Sequence, residues 1–141
     1  MPPNLEALPK GYEFPPTPLD LSSEWVQGYV LAVEDEAIGG LSEGLVPAMA
    51  VAALALRAIL DSAKLPPGAI HLGQELAFLR PVHVGERLWA RALVASRGER
   101  QGWILMGIDL NVGDESARPA MTGRAMVTMP CPGPQPETWK R

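Results

Sequence analysis

The chain has 141 residues, 47% hydrophobic and 20% charged, enough for one ordinary domain with a sizeable core and too apolar for wholesale disorder. Twelve basic and sixteen acidic side chains leave a net charge of -4, which argues against nucleic acid as a partner. One cysteine, Cys131, excludes an internal disulfide framework, and with two histidines, His71 and His83, no metal site is expected. Met1 is followed by Pro2, Pro3 and Asn4, with no basic region before an apolar run. No export leader is therefore expected, and a reducing cytoplasm is the expected compartment.

The charge is uneven. Residues 1–79 carry three basic and ten acidic side chains, and residues 80–141 carry nine basic and six acidic. The second part could meet an anionic ligand such as a phosphorylated cofactor, or be a solvated strand surface. Ten of the 15 prolines lie in residues 2–18 and 130–136, where missing donors and fixed φ argue against regular structure. We divide the chain into a proline-rich arm (1–18), a folded body (19–129) and a proline-rich tail (130–141).

Taken in order, Trp25 to Val33 reads as a first strand. Gly44 to Lys64 reads as a long helix, rich in alanine and leucine, with Pro47 suited to the first helical position and Pro66–Pro67 stopping it. Its first 13 residues, Gly44 to Leu56, hold no charge, so burial all round is expected; the run is shorter than the roughly 20 residues of a membrane span. Four strands follow. Ala69 to Leu79 places Ile70, Leu72, Leu76 and Phe78 on one face and His71, Gly73 and Glu75 on the other. Glu86 to Ser96 turns Leu88, Ala90, Ala92 and Val94 one way, and Trp103 to Val112 alternates most clearly. Met121 to Met129 is the last. The polar, turn-rich segments Arg97 to Gly102 and Gly113 to Pro119 suit hairpin connections. The expected class is α+β: a curved antiparallel sheet of about five strands wrapped around one long central helix.

That layout resembles the hot-dog fold. Pro67 to Val94 is similar to the stretch of MaoC-like hydratases and dehydratases that leads from the central helix into the next two strands. The phrase from Phe78 through Arg80, Pro81, Val82 and Val84 to Gly85 and Glu86 matches the type found there, and Gly44 to Leu60 resembles the glycine-led start of the family's helix. The resemblance spans about residues 24–129 and implies a protein that acts on or binds acyl-CoA or acyl-carrier thioesters, with coenzyme A entering as part of the substrate and no separate cofactor. The family's acid–base pair is an aspartate and a histidine just before the helix. Here Val33 to Val46 holds Glu34, Asp35, Glu36 and Glu43 but no histidine. The implied function is an enoyl-CoA hydratase or acyl dehydratase type with atypical or missing catalytic residues. The alternatives are an acyl-CoA thioesterase and a non-catalytic subunit that completes a catalytic partner.

Three features could build a thioester site. The N–H groups of Gly44, Leu45 and Val46, at the expected helix start, would polarise a carbonyl. Glu43 beside them could act as a general base. His71 and Glu75, expected on one strand face, form the histidine–carboxylate pair that the spacing allows. Arg80, Arg87, Arg91 and Arg124 are candidates for the phosphates of a coenzyme A handle, with Arg87, Arg91 and Trp89 sharing a face. An edge strand and an apolar helix call for a second subunit, so a homodimer or a hetero-pair with another hot-dog chain is expected.

Overall fold

A computed structural model describes residues 2–33 and 44–132. Its strands are β1 (Thr17–Pro18), β2 (Leu45–Val46), β3 (Ile70–Phe78), β4 (Val82–His83), β5 (Trp89–Arg100), β6 (Trp103–Gly113) and β7 (Pro119–Pro130). Its helices are α1 (Ser23–Val33) and α2 (Ala48–Ser62). The main sheet is antiparallel, in the order β1-β5-β6-β7-β3, and β2 pairs with β4 in a separate ribbon.

The alternation of β5, β6 and β7 decides their inner face. Leu88 just before β5, then Ala90, Ala92 and Val94, Ile104, Met106, Ile108, Leu110 and Val112 on β6, and Met121, Ala125, Val127 and Met129 on β7 are all buried against α2 and the N-terminal arm. Gln101 and Gly102 link β5 to β6 with φ of 52° and 83°, the doubly left-handed geometry of a tight hairpin turn. Gly123 lets β3 approach β7: a Cβ there would lie 2.7 Å from the Glu75 carbonyl oxygen.

The segment read as a first strand is the helix α1. Ser22 accepts the Trp25 N–H on its hydroxyl (3.2 Å) and the Val26 N–H on its carbonyl (3.0 Å), which starts a helix. Trp25 and Tyr29, four apart, then stack with ring centroids 5.7 Å apart. Local capping and this stacking override the strand preference of the valines and aromatics. The fifth strand of the sheet is β1, which comes from the proline-rich arm.

Two expectations about α2 also change. It begins at Ala48 rather than Gly44, because Leu45 and Val46 pair with His83 and Val82 before Pro47 opens the helix. It is not buried all round. Ala50, Val51, Ala55 and Ala58 face the sheet, while Met49, Ala53, Arg57 and Leu60 form an exposed stripe. A sheet covers one side of a helix, and the residues described here provide nothing for the other.

Candidate functional site

The start of α2 is the best-placed polar feature on the inner side of the sheet. The Ala50 and Val51 N–H groups return to the Pro47 carbonyl (2.9 and 3.3 Å), which leaves those of Ala48 and Met49 ahead of the helical ladder. A hollow of about 40 Å³ adjoins them, lined by Val46, Val51, Phe78, Arg80 and Met121 among others. The donors and the helix dipole suit a carbonyl oxygen that gains negative charge.

Arg80 is fixed beside this hollow. Its Nη1 lies 2.7 Å from Glu86 Oε1 and donates to the Pro81 carbonyl at 3.1 Å, while its Nε is buried without a partner. Glu86 Oε2 also accepts the His83 N–H at 2.8 Å. Burial raises the Glu86 carboxyl, but the His83 N–H and the Arg80 guanidinium outweigh it and hold the group below its ordinary 4.5. An arginine and a glutamate six apart around Pro81 were a sequence signal for this clamp.

Gly44, Leu45 and Val46 belong to the β2–β4 ribbon, not to the helix end; the Gly44 carbonyl accepts the Val84 N–H at 2.7 Å. The donor site therefore sits a few residues later than expected. Glu43, Glu34, Asp35 and Glu36 lie outside the described residues. His71 and Glu75 do not share a face. The register slips between His71 and Gly73, so that His71 pairs with Val127 while Glu75 pairs with Arg124. The bulge at Leu72 turns His71 toward the helix and leaves Glu75 outside. After the bulge Gln74, Leu76 and Phe78 face inward, opposite Ala125, Gly123 and Met121.

The remaining arginines lie away from α2. Arg87 is exposed just ahead of β5, before the buried Leu88. Arg91, on the outer face of β5, has its guanidinium 6.0 Å from the Trp89 ring centroid. Arg124 forms a fork with Asp109 (2.6 and 3.2 Å) across the outer face, which raises its pKa. An open trough of about 890 Å³ runs over this face, past Glu13, Glu75, Arg91, Asp109 and Arg124. Its acids and bases largely offset one another, and it lies on the far side of the sheet from the α2 donors. Among the described residues no cluster could hold a metal ion, and no helix is long and apolar enough to cross a membrane.

No protein-family model and no curated protein matches the sequence. Solved structures do match in fold. A C-terminally truncated HadBC (3R-hydroxyacyl-ACP dehydratase) complex from Mycobacterium tuberculosis has a chain with TM-score 0.67 and 22% identity, covering 89% of this chain and 100% of that one. The (R)-hydratase from A. caviae involved in PHA biosynthesis has TM-score 0.67 and 24% identity, over 88% and 98% of the two chains. A MaoC-like dehydratase from Rhodospirillum rubrum has TM-score 0.71 and 17% identity, over 93% and 99%. One long helix laid on an antiparallel sheet, matched along nearly the whole length of these structures, gives this chain the hot-dog fold of the MaoC-like hydratases and dehydratases.

Proposed function

We propose that this chain is a MaoC-like subunit of an acyl-thioester hydratase or dehydratase, and that it works with a second hot-dog chain docked along β3. The observation that carries this is the pair of N–H donors at Ala48 and Met49, beside the Phe78–Arg80 hollow and next to a sheet edge that no described strand covers. A thioester carbonyl placed on those donors would be polarised. The enolate-like charge that develops when water adds to, or leaves, the neighbouring carbons would be stabilised there.

The proton transfers need a base and an acid within hydrogen-bond reach. No histidine stands before the helix in this sequence. His71 lies toward the other end of α2, in a pocket it shares with Leu56 and Ile59, and His83 is exposed on β4, where Val82 rather than His83 lines the hollow. The imidazole therefore comes from the partner chain, and this subunit holds the thioester. The HadBC dehydratase complex, which has a chain of the same fold, supports a complex as the working form.

The test starts with the purified chain, crotonyl-CoA and saturated acyl-CoAs. Thioester binding with neither loss of enoyl absorbance nor release of free thiol is expected. Loss of enoyl absorbance by the chain alone would make it a self-sufficient hydratase, and thiol release would make it a thioesterase. Ala48→Pro then probes the donor site, because proline removes one N–H yet fits a first helical position. In the assembled enzyme it should lower turnover by about 100-fold, the usual cost of one such donor, with an unchanged melting temperature.

A further inference from the structure

An apolar pocket of about 250 Å³ lies between the second half of α2 and the start of β3. Leu5 of the arm, Leu56 and Ile59 of α2, and Ile108 and Val127 of the sheet line it. Leu60 and Leu65 form its rim, 55% and 42% exposed. The last strand ends beside the same pocket. A Cβ on Gly68 would lie 3.1 Å from the Pro130 ring, and the next residue, Ala69, is part of the pocket lining. Cys131 then packs on the buried cluster that Leu56, Ile59 and Ala69 also join. The described chain stops one residue later, at Pro132, and residues 133–141 lie beyond it. Among those residues Trp139 is the one large apolar side chain.

We infer that this pocket receives Trp139 of the chain's own C-terminal tail. The inference is independent of the thioester reading, whose donors lie at the opposite end of α2. Seven residues lead from Pro132 to Trp139, and an extended tail at about 3.1 Å per residue reaches roughly 22 Å. From Leu56 to Ala63 the chain of α2 advances about 10 Å, so the tail is long enough to cross the pocket from its Ala69 end. Pro134 and Pro136 limit the freedom of the tail and so lower the entropy lost on docking. The pocket equals roughly eight water-sized groups at about 30 Å³ each, the scale of an indole. A ring seated there removes its own apolar surface and that of Leu60 and Leu65 from water together. Attachment to the end of β7 gives the tail an effective concentration of millimolar order, which a free apolar ligand would have to exceed to take its place. The docked tail also covers leucines that would otherwise promote association.

The experiment is methyl NMR of the full chain, with Trp139→Ala as the comparison. In the wild type the Ile59, Leu60 and Leu65 methyls should carry ring-current shifts that the substitution removes. The Leu88 and Val94 methyls, buried elsewhere in the core, should stay in place. Leu65→Asp, on the rim, should remove the same shifts from Ile59 and Leu60 with Trp139 still present. Identical Ile59, Leu60 and Leu65 positions in the wild type and Trp139→Ala overturn the inference. Changes confined to other methyls seat the indole elsewhere and overturn it equally, as do shifts that survive Leu65→Asp. A last sample mixes labelled Trp139→Ala chain with unlabelled wild type. Shifts that reappear in the labelled chain assign the indole to a second copy and overturn the contact within one chain; their absence supports it.

Discussion

The two long edges of the sheet are finished in opposite ways. Along β5 the chain covers itself. The N-terminal arm runs beside it, with Gly11 N–H to Val94 carbonyl (2.8 Å), Val94 N–H to Tyr12 carbonyl (2.9 Å), Phe14 N–H to Ala92 carbonyl (2.9 Å) and Leu19 N–H to Leu88 carbonyl (2.9 Å). Leu5, Leu8 and Phe14 are buried beneath it, and Arg97 Nη2 holds the Glu6 carbonyl at 2.9 Å. Along β3 no described strand pairs with the free side, and Ile70, Leu72, Phe78 and Leu79 stand 44–58% exposed. Met49 and Leu60 on α2 extend this apolar border. A bare edge with large apolar side chains is an aggregation hazard unless another chain covers it. Among the described residues, the chain protects one edge with its own arm and leaves open the edge whose Phe78 lines the hollow at the start of α2.

The covered edge should be the more sensitive of the two to substitution. Phe14 is 4% exposed and meets Tyr12 edge to face, with centroids 5.2 Å apart. Phe14→Ala should cost about 3–5 kcal/mol and release the arm, read by denaturant unfolding and by loss of amide protection at Val94. The open edge should respond in the reverse sense. Leu72 sits in the β3 bulge and is 58% exposed. In the proposed pair, Leu72→Lys should leave single chains in light scattering, while the fold of each chain changes by no more than about 0.5 kcal/mol.

The smallest effect belongs to the Arg80–Glu86 clamp, whose two residues flank β4. Because the Glu86 carboxyl is held below its ordinary 4.5, its contribution is complete above that value and is lost as pH falls through the lower folded value. Glu86→Gln should cost about 1 kcal/mol at neutral pH and nothing below that window, so wild-type and variant stabilities converge in acid. A parallel pair of stability curves would remove Glu86 from the acid response.

The arm and β3 also show what pattern reading could and could not reach. β5, β6 and β7 are legible because they carry an apolar side chain at every second position over long spans, and a period of two has one structural solution there. The body of α2 is legible because its alanines and leucines are uncharged and stopped by Pro66 and Pro67. The arm was illegible because prolines argue against strand, yet β1 needs only the two residues Thr17 and Pro18 at an edge, where a missing donor costs little. The candidate site was reached in part. Its helix end and Arg80 were visible in the residues, whereas the shift of the donors to Ala48 and Met49 followed from the pairing of Leu45 and Val46 with a segment almost forty residues away.

Local order in this chain thus gives its class, its hairpins, its long helix and the absence of a histidine ahead of that helix. The choices made by distant contacts are of another kind. Whether Trp25 to Val33 coils or extends depends on a cap and a ring stack. Whether His71 sits with Glu75 or with the helix depends on one extra residue in the β3–β7 register. A period-two pattern carries no mark of a bulge, because the slip comes from the partner strand; long-range pairing therefore had the last word on which side chains meet at the site.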